Sequence, residues 1–240
     1  MTTKISPREE PNEDTKIWRY MDFTKFISLL DTSKLFFTRA DQFEDPFEGS
    51  LPKKNVELRS QYTNHDERSK ITKHWPRCIA VNCWHENEHE SAAMWKLYLK
   101  SGEGVAIQST YGKFKHSVRE QKDIVRIGKV AYIDYETEMI KEEGLTNVFF
   151  YKRKSFSHER EVRAIIFEYP TAGLTPSDIF DKGTIHDGLP IKVDLSSLVQ
   201  KVYLAPNAPL WFRDLVCSLI KRYEYNFEVV QSDLDKSPVF

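Results

Sequence analysis

The chain has 240 residues, of which 40% are hydrophobic and 30% are charged, a composition typical of a soluble globular protein with a buried core. Its formal net charge of −1 excludes a general electrostatic attraction to nucleic acid or to anionic membranes. The first residues lack the apolar core of a signal peptide, and no apolar run is long enough to span a bilayer. We therefore expect a cytoplasmic protein with no membrane partner, and the irregular spacing of the three cysteines fits a reducing compartment.

The order of predicted elements indicates the fold class. Strands and helices do not alternate regularly as in a doubly wound sheet, so we predict an α+β fold with a mixed or mostly antiparallel central sheet flanked by helices. A flexible N-terminal tail is expected at 1–15, because it is rich in Pro and Glu and poor in apolar residues. One domain is then predicted over 16–240, with a helical insertion at the polar, charged stretch 53–74.

The individual elements follow from hydrophobic periodicity, capping residues and turn residues. Strands are predicted at 16–21, 35–38, 77–84, 105–110, 124–133, 159–168, 189–194, 200–205 and 227–231. Helices are predicted at 23–30, where Asp22 caps the first turn, and at 91–99, 136–150 and 209–222. An ordered loop is predicted at 40–50, where Pro46 and Gly49 break regular structure and two phenylalanines anchor the chain.

The segment Ser157–Arg163 is the most informative part of the sequence, because charged residues run directly into an apolar stretch. If it is one strand, Glu159, Glu161 and Arg163 share a face, since side chains alternate along a strand. Buried charges need each other, solvent or a ligand, because an unpaired buried charge is costly. The segment is therefore a candidate site. The alternative is a solvated edge strand whose glutamates and arginines pair across the ladder.

Several catalytic motifs are absent from the sequence. It has no phosphate-binding glycine loop, no dinucleotide-binding glycine motif and no Gly-x-Ser-x-Gly nucleophile elbow. Four residues within a short span are candidate zinc ligands: Cys78, Cys83, His85 and His89. In a strand, however, Cys78 and Cys83 point to opposite faces, and both thiols are equally typical of small core residues. We expect no metal.

Polar residues on three predicted strands follow a recognisable order: Arg19, then Ser109 with Thr110, then Glu159-x-Glu161. In this order they resemble the signature of the ADP-ribosyltransferase superfamily. The resemblance implies that Arg19 contacts a phosphate or ribose of NAD and that the strand of Ser109 shapes the nicotinamide pocket. It further implies that Glu161 holds the ribose hydroxyl and stabilises an oxocarbenium-like transition state, with Glu159 acting on the acceptor. The alternative is that Arg19 pairs with a loop acid, Ser109 caps the next helix and the glutamates are solvated.

A second set of motifs covers residues 17–168. It comprises Trp18-Arg-Tyr20, the loop Phe43-Glu-Asp-Pro-Phe-Glu48, Cys83-Trp84, Met94-Trp95-Lys-Leu-Tyr98, Gly104-Val-Ala-Ile, Lys154 and His158-Glu-Arg-Glu-Val-Arg163. Together these resemble a broad family of uncharacterised bacterial proteins with Asn-Asp-Pro-Phe-Glu, Met-Trp-x-x-Tyr and Tyr-Glu-x-Glu-x-Arg motifs. The chain departs from that pattern at Glu44, where the family usually has Asn, and at His85, where it often has Ser. The resemblance implies little about activity beyond an occasional link to phage-defence or toxin-like genes.

The acidic loop and the aromatic residues add candidates to the site. Asp45 precedes Pro46 and is biased toward an extended conformation, so Asp45 and Glu48 are expected to face Arg163 or Lys154. Three aromatic residues offer walls for a stacked base or nicotinamide ring, although aromatic residues at helical spacing are equally typical of a core. These residues are Trp84, Trp95 and Tyr98.

The leading hypothesis is an enzyme that binds NAD or a similar nucleotide and transfers ADP-ribose to an acceptor, either protein or nucleic acid. Its catalytic residues would be Glu161, Glu159 and Arg163. One alternative is a metal-dependent nuclease or phosphodiesterase with Mg²⁺ held by Asp45, Glu48, Glu159 and Glu161. Another is a non-enzymatic module whose charged strand and acidic loop hold a protein partner.

Overall fold

The computed structural model describes residues 10–59, 73–99, 102–119, 125–142, 144, 146–168 and 184–239. Most of the predicted tail and most of the predicted insertion at 53–74 lie outside these residues, so the predicted domain limits stay a prediction. Within the tail, Tyr111 N donates to Thr15 O at 2.9 Å, which ties residue 15 to the start of a helix. No helix in the described part of the chain is long and apolar enough to cross a membrane.

The described elements confirm an α+β fold with mostly antiparallel strand pairing. The strands are β1 (Lys16–Asp22), β2 (Lys34–Arg39), β3 (Ile79–Glu86), β4 (Gly104–Thr110), β5 (Val125–Lys129), β6 (Ala131–Ile133), β7 (Tyr151–Arg153), β8 (Glu161–Phe167), β9 (Gly188–Lys192), β10 (Lys201–Leu204) and β11 (Glu228–Gln231). The α-helices are Phe23–Thr32, Lys53–Arg59, Ala92–Tyr98, Tyr111–Arg119, Leu195–Leu198 and Leu210–Arg222. Short 3₁₀ helices span Ala40–Gln42, Trp75–Cys78, Asn147–Phe150, Lys154–Glu159 and Asp233–Asp235.

The chain divides into two compact units, each assembled from separate stretches of sequence. The first unit consists chiefly of Phe36–Cys83 and Asp123–Pro190. The second unit consists of Asn12–Leu35, Trp84–Lys122 and Ile191–Phe240.

In the first unit, β8 is buried along its whole length. It pairs with β5 in antiparallel register from Val125↔Ile166 to Lys129↔Val162, and it also pairs with β3. The apolar side chains around β8 form one cluster of buried residues, consistent with a strand covered on both faces. The cluster contains Ala40, Cys78, Ile79, Val81, Phe149, Phe150, Ile165 and Phe167.

In the second unit, β1 pairs with β4 in antiparallel register from Lys16↔Thr110 to Asp22↔Gly104. β4 pairs with β10, and β10 pairs in parallel with β11. Asp22 ends β1 and caps the following helix, because its carboxylate accepts from Lys25 N at 2.8 Å and satisfies a backbone donor of the first turn. An aromatic cluster packs on this sheet and contains Trp18, Tyr20, Met94, Trp95, Ala106 and Ala205.

The predicted helix at 136–150 is wrong. A turn begins at Asp134, whose carboxylate accepts from Glu136 N at 2.9 Å, and Ile140 N donates to the side chain of Asn55 at 3.0 Å. Regular structure resumes only in the 3₁₀ helix Asn147–Phe150. Side-chain oxygens accept hydrogen bonds from backbone N–H groups that would otherwise bond within an α-helix. Asp and Asn side chains compete with helix formation in this way.

Candidate functional site: a buried charge cluster at the start of β8

The candidate site begins where the chain enters β8. The prediction of one continuous strand over 159–168 is wrong at its start, because Lys154–Glu159 is a 3₁₀ helix and Arg160 has a left-handed φ of 40°. The ladder explains the difference: the register with β5 ends at Lys129 opposite Val162, and the next bond runs from Val130 N to Glu161 O, so this pairing reaches Glu161 and does not extend to Arg160 or Glu159. Glu159 therefore lies on the helix, while Glu161 is the first residue of the strand.

Arg163 is the centre of the cluster and is 0% exposed. Its Nη1 and Nη2 atoms donate to the two carboxylate oxygens of Glu48 at 2.7 and 2.8 Å. Its Nε atom donates to Glu161 Oε2, and Nη1 also donates to Phe149 O at 2.8 Å. Such bidentate, charge-assisted bonding is what a fully buried guanidinium requires. The expectation that Glu48 faces Arg163 agrees with these contacts.

Lys152 on β7 is a second buried cation that sequence reasoning missed. Its Nζ atom lies 3.0 Å from Glu161 Oε1 and 3.4 Å from Glu48 Oε1, and it also bonds to Glu159. The predicted candidate was Lys154, whose side chain is 62% exposed and pairs with Glu138 at 2.5 Å. Both lysines stand in one short basic run, and only the three-dimensional path of β7 distinguishes them.

Glu161 is fixed by its backbone as well as by its side chain. Its N–H donates to the Tyr132 hydroxyl at 2.8 Å, and its carbonyl accepts from Val130 N at 2.9 Å. Burial raises the pKa of Glu161, but the charges of Arg163 and Lys152 outweigh burial and hold the pKa well below its usual value. Glu161 is thus an ionised carboxylate in a rigid position.

Glu159 shows the opposite behaviour, although its side chain is 14% exposed and contacts the same lysine. Burial, followed by the hydrogen bond and the negative charge of Glu161, raises the pKa of Glu159 to about 8 against the opposing effect of Lys152. At neutral pH the two carboxyls therefore differ in protonation. Neighbouring acids with separated pKa values are the usual arrangement for distinct roles in catalysis.

Two neutral side chains complete the surroundings of Glu161, and neither was predicted to lie there. The Cys83 thiol is hydrogen-bonded to Glu161, and burial and the nearby carboxylate raise its pKa. Burial followed by the charge of Glu161 likewise raises the pKa of Tyr132. In the sequence, Cys83 stands out as a possible metal ligand or core residue and as part of the Cys83-Trp84 motif, and no local pattern marks Tyr132.

The acidic loop is held beside the cluster by Arg153, which bonds to Asp45 at 2.8 and 3.2 Å. Asp45 therefore bonds to Arg153 instead of Arg163 or Lys154. The Asp45 carboxylate also accepts from Phe47 N at 3.1 Å, and Arg153 lies over the Phe47 ring at 4.5 Å. These contacts fix the turn that presents Glu48 to Arg163.

The other polar candidates lie in the second unit. Arg19 is half-buried on β1, where its register partner is Ile107 on β4. Ser109 is fully buried and donates to Leu198 O at 2.6 Å. The hydroxyl that accepts from the next helix belongs to Thr110, not Ser109, at 3.3 Å from Lys113 N. A role of Arg19 and Ser109 in binding NAD stays a prediction.

The aromatic candidates also lie in the second unit and are packed to different degrees. The buried ring of Trp84 is 5.0 Å from the ring of Phe114. Trp95 is also buried, and its indole N–H donates to Glu90 at 2.7 Å. Tyr98 is half exposed and stacks at 6.5 Å on a neighbouring tyrosine of β1. Their proposed role as walls of a ligand pocket stays a prediction.

Among the described residues, no group of three or more His, Cys, Asp or Glu side chains is arranged to hold a metal ion. The carboxylates of the nuclease alternative are engaged by basic side chains instead. Asp45 bonds to Arg153, Glu48 to Arg163, Glu159 to Lys152, and Glu161 to both Arg163 and Lys152.

Comparison with known proteins finds no matching protein-family model and no matching curated protein. Solved structures of DarT from Thermus sp. 2.9 show a weak likeness. The complex with NAD⁺ has a TM-score of 0.45 and 8% identity, over 94% of this chain and 99% of that chain. The complex with ADP-ribosylated single-stranded DNA has a TM-score of 0.43 and 8% identity, over 96% and 100% of the two chains. A likeness at such values carries no conclusion about function.

Proposed function

We propose that the protein is an NAD-binding, ADP-ribosyltransferase-like enzyme whose catalytic carboxylate is Glu161. The observation that carries the proposal is the pair Glu159 and Glu161: both carboxyls contact Lys152, and Glu161 also bonds to Arg163. This arrangement raises the pKa of Glu159 and lowers the pKa of Glu161. Departure of nicotinamide from NAD leaves positive charge on the ribose. A carboxylate that is already ionised and fixed stabilises this charge without reorganising during the reaction. Glu161 meets both conditions through Arg163 and Lys152.

Glu159 is assigned to the acceptor. Nicotinamide leaves as a neutral molecule and needs no proton, whereas a nucleophilic O–H or N–H group of the acceptor must lose one. A carboxyl whose pKa lies near the working pH is suited to accept that proton. The order Arg19, Ser109 and Glu161 in the sequence also supports NAD as the ligand through its resemblance to the ADP-ribosyltransferase signature. The acceptor class, protein or nucleic acid, stays open.

The direct test is nicotinamide release from NAD⁺ by the wild type and by Glu161→Gln. The substitution keeps the shape of the side chain and removes its charge, so we expect turnover to fall by about 10²–10³-fold, as when one preorganised electrostatic group is removed. Glu48→Gln is the matched control, because it also removes a buried carboxylate from Arg163. The proposal fails if both variants lose turnover only in proportion to the fraction that is unfolded.

Thermal unfolding separates the proposal from its alternatives. A ligand that binds only the folded state stabilises it, by about 2.7 kcal/mol at one hundred times its dissociation constant. NAD⁺ should therefore raise the melting temperature of the wild type. A shift with Mg²⁺ alone would favour the nuclease alternative, and no shift with either ligand would favour the interaction module.

A further inference from the structure

Lys152 contacts three carboxylates of the cluster. Its Nζ atom bonds to Glu159, lies 3.0 Å from Glu161 and lies 3.4 Å from Glu48. Arg163 is bonded only to Glu48, Glu161 and the carbonyl of Phe149. Of these two buried cations, Lys152 is therefore the one that touches both members of the glutamate pair.

The contacts to Glu161 are divided between its two oxygens. Lys152 bonds to Oε1, whereas Arg163 bonds to Oε2. Glu161 would therefore keep one cationic partner if Lys152 were removed. Glu159 bonds directly to Lys152 and lies next to the negative charge of Glu161. The loss of Lys152 would thus affect the two glutamates unequally.

The ammonium of Lys152 is itself held in place. Its side chain is 8% exposed, and Nζ lies 4.6 Å from the centre of the Phe156 ring. The ring belongs to the same 3₁₀ helix that carries Glu159, so the cation–π contact links Lys152 to that helix. In the parallel pair of β6 with β7, Lys152 is the register partner of Tyr132, whose hydroxyl accepts the N–H of Glu161.

We infer that Lys152 is a positioning residue of the proposed reaction: its ammonium fixes Glu159 against Glu161 and makes the Glu159 carboxyl available as a base. This inference rests on the proposed function where it concerns turnover. The groups that face Glu159 and Glu161 from the surrounding elements include Glu48 on the acidic loop, Cys83 on β3, Tyr132 on β6, Lys152 on β7 and Arg163 on β8.

Replacement of Lys152 by Met removes the charge but keeps an unbranched side chain of similar length. Glu161 should stay ionised through Arg163. Glu159, without its ammonium partner and still beside Glu161, should hold its proton more strongly, so its titration midpoint should rise by at least about one pH unit. If Glu159 is the base, its ionised fraction at pH 7 and the turnover should fall about tenfold, since one pKa unit is a factor of ten. The difference in turnover between Lys152→Met and the wild type should decrease as the pH is raised to 9.

The experiment is a ¹³C NMR titration of the glutamate carboxyls in the free protein, combined with the pH profile of nicotinamide release. Lys154→Met is the matched control, because it removes an ammonium two residues away that pairs with Glu138, and it should leave the Glu159 midpoint unchanged. Lys152→Arg should restore most of the wild-type midpoint. An unchanged midpoint in folded Lys152→Met overturns the inference, whatever the turnover.

A second measurement needs no variant. In the wild type, the ¹⁵N resonance of Lys152 Nζ should change at the same pH as the Glu159 carboxyl, because the two groups are bonded. If the Lys152 resonance does not follow Glu159, the inference is overturned even if Lys152→Met fails to fold. These titrations use no NAD, so they distinguish failure of the inference from failure of the proposed function.

Discussion

The charge cluster of the first unit and the aromatic cluster of the second are both buried, but the free energy of burial differs between them. In the aromatic cluster the polar atoms are few, and each has a simple partner. The Tyr20 hydroxyl accepts from Ser91 N at 2.7 Å, and the Trp95 indole donates to Glu90 at 2.7 Å. Burial of such rings is favourable in itself. Core packing is therefore a sufficient explanation for the aromatic cluster.

The charge cluster has no comparable explanation in packing alone. Removal of ions from water costs several kcal/mol for each ion, and a buried ion pair is often no more stable than an apolar replacement of the same volume. Arg163, Glu48, Lys152 and Glu161 are all buried, and each is fully engaged with the others. The more costly cluster is therefore the better candidate for function.

The largest expected effect is that of Arg163→Met. The variant leaves Glu48 and Glu161 buried with one cation fewer, and breaking a buried ion pair costs about 3–5 kcal/mol. Urea denaturation measures this loss of unfolding free energy. Arg153→Met is the control: that guanidinium is 37% exposed in its pair with Asp45, and a partly solvated pair contributes at most about 1 kcal/mol. Equal losses in the two variants would contradict the special status of the cluster.

A smaller loss is expected for Gly49→Ala, in the turn that presents Glu48. Gly49 has a φ of +73°, and an added Cβ would lie 2.3 Å from the Phe149 ring. A residue with a side chain at this φ costs about 1–3 kcal/mol, and the ring must also move. Gly102→Ala is the control, because nothing lies within 4 Å of its Cβ position. Similar unfolding free energies for the two variants would show that the turn is not constrained.

For the aromatic cluster, Trp95→Phe should lower the unfolding free energy by about 1–2 kcal/mol, because the Glu90 carboxylate loses a hydrogen bond. Trp211→Phe, at a ring that is 55% exposed, should change stability by less than about 0.5 kcal/mol. The comparison also tests the role of the Trp95 ring. If Trp95→Phe keeps full stability but abolishes the thermal shift with NAD⁺, the ring is a wall of the ligand pocket and not part of the core.

Local patterns were sufficient for most of the fold. The polar–apolar pattern and the Asp22 cap predicted β1 and the helix Phe23–Thr32. The helix Ala92–Tyr98 lies within the predicted range 91–99, and it begins at a Ser91 cap that the prediction did not include. These elements are determined by residues within a few positions of each other, so they can be predicted without knowledge of the tertiary structure.

The site could be predicted only in part, because its contacts are not local. Glu161 and Arg163 were identified from an unusual charged strand. The bond between Glu48 and Arg163, however, joins residues 115 positions apart. The start of β8 depends on where β5 ends, which no local pattern contains. Lys152 was missed for the same reason, because its role in the cluster depends on contacts with three carboxylates that belong to two other segments of the chain.

The last expected effect is a slope of stability with pH instead of a single loss, and one carboxyl changes the unfolding free energy by at most about 1.4 kcal/mol per pH unit. The folded-state pKa of Glu159 is raised from 4.5 to about 8. Its contribution to stability is therefore fully present below about pH 4.5 and is lost as the pH rises through about 8, since the unfolded chain ionises first. Partial exposure of the side chain reduces the slope.

Glu159→Gln removes this titration, so the wild type should lose stability relative to the variant between pH 5 and 8. Urea denaturation of both proteins across this range gives the difference directly. Glu138→Gln is the matched control, because burial is not what governs that carboxyl: its hydrogen bond to Lys154 lowers its pKa. If the unfolding free energy of the wild type relative to Glu159→Gln stays constant or increases with pH, Glu159 is ionised in the folded protein. The two carboxyls would then not differ in protonation, and the charge cluster would lose the property that separates it from an ordinary buried ion-pair network.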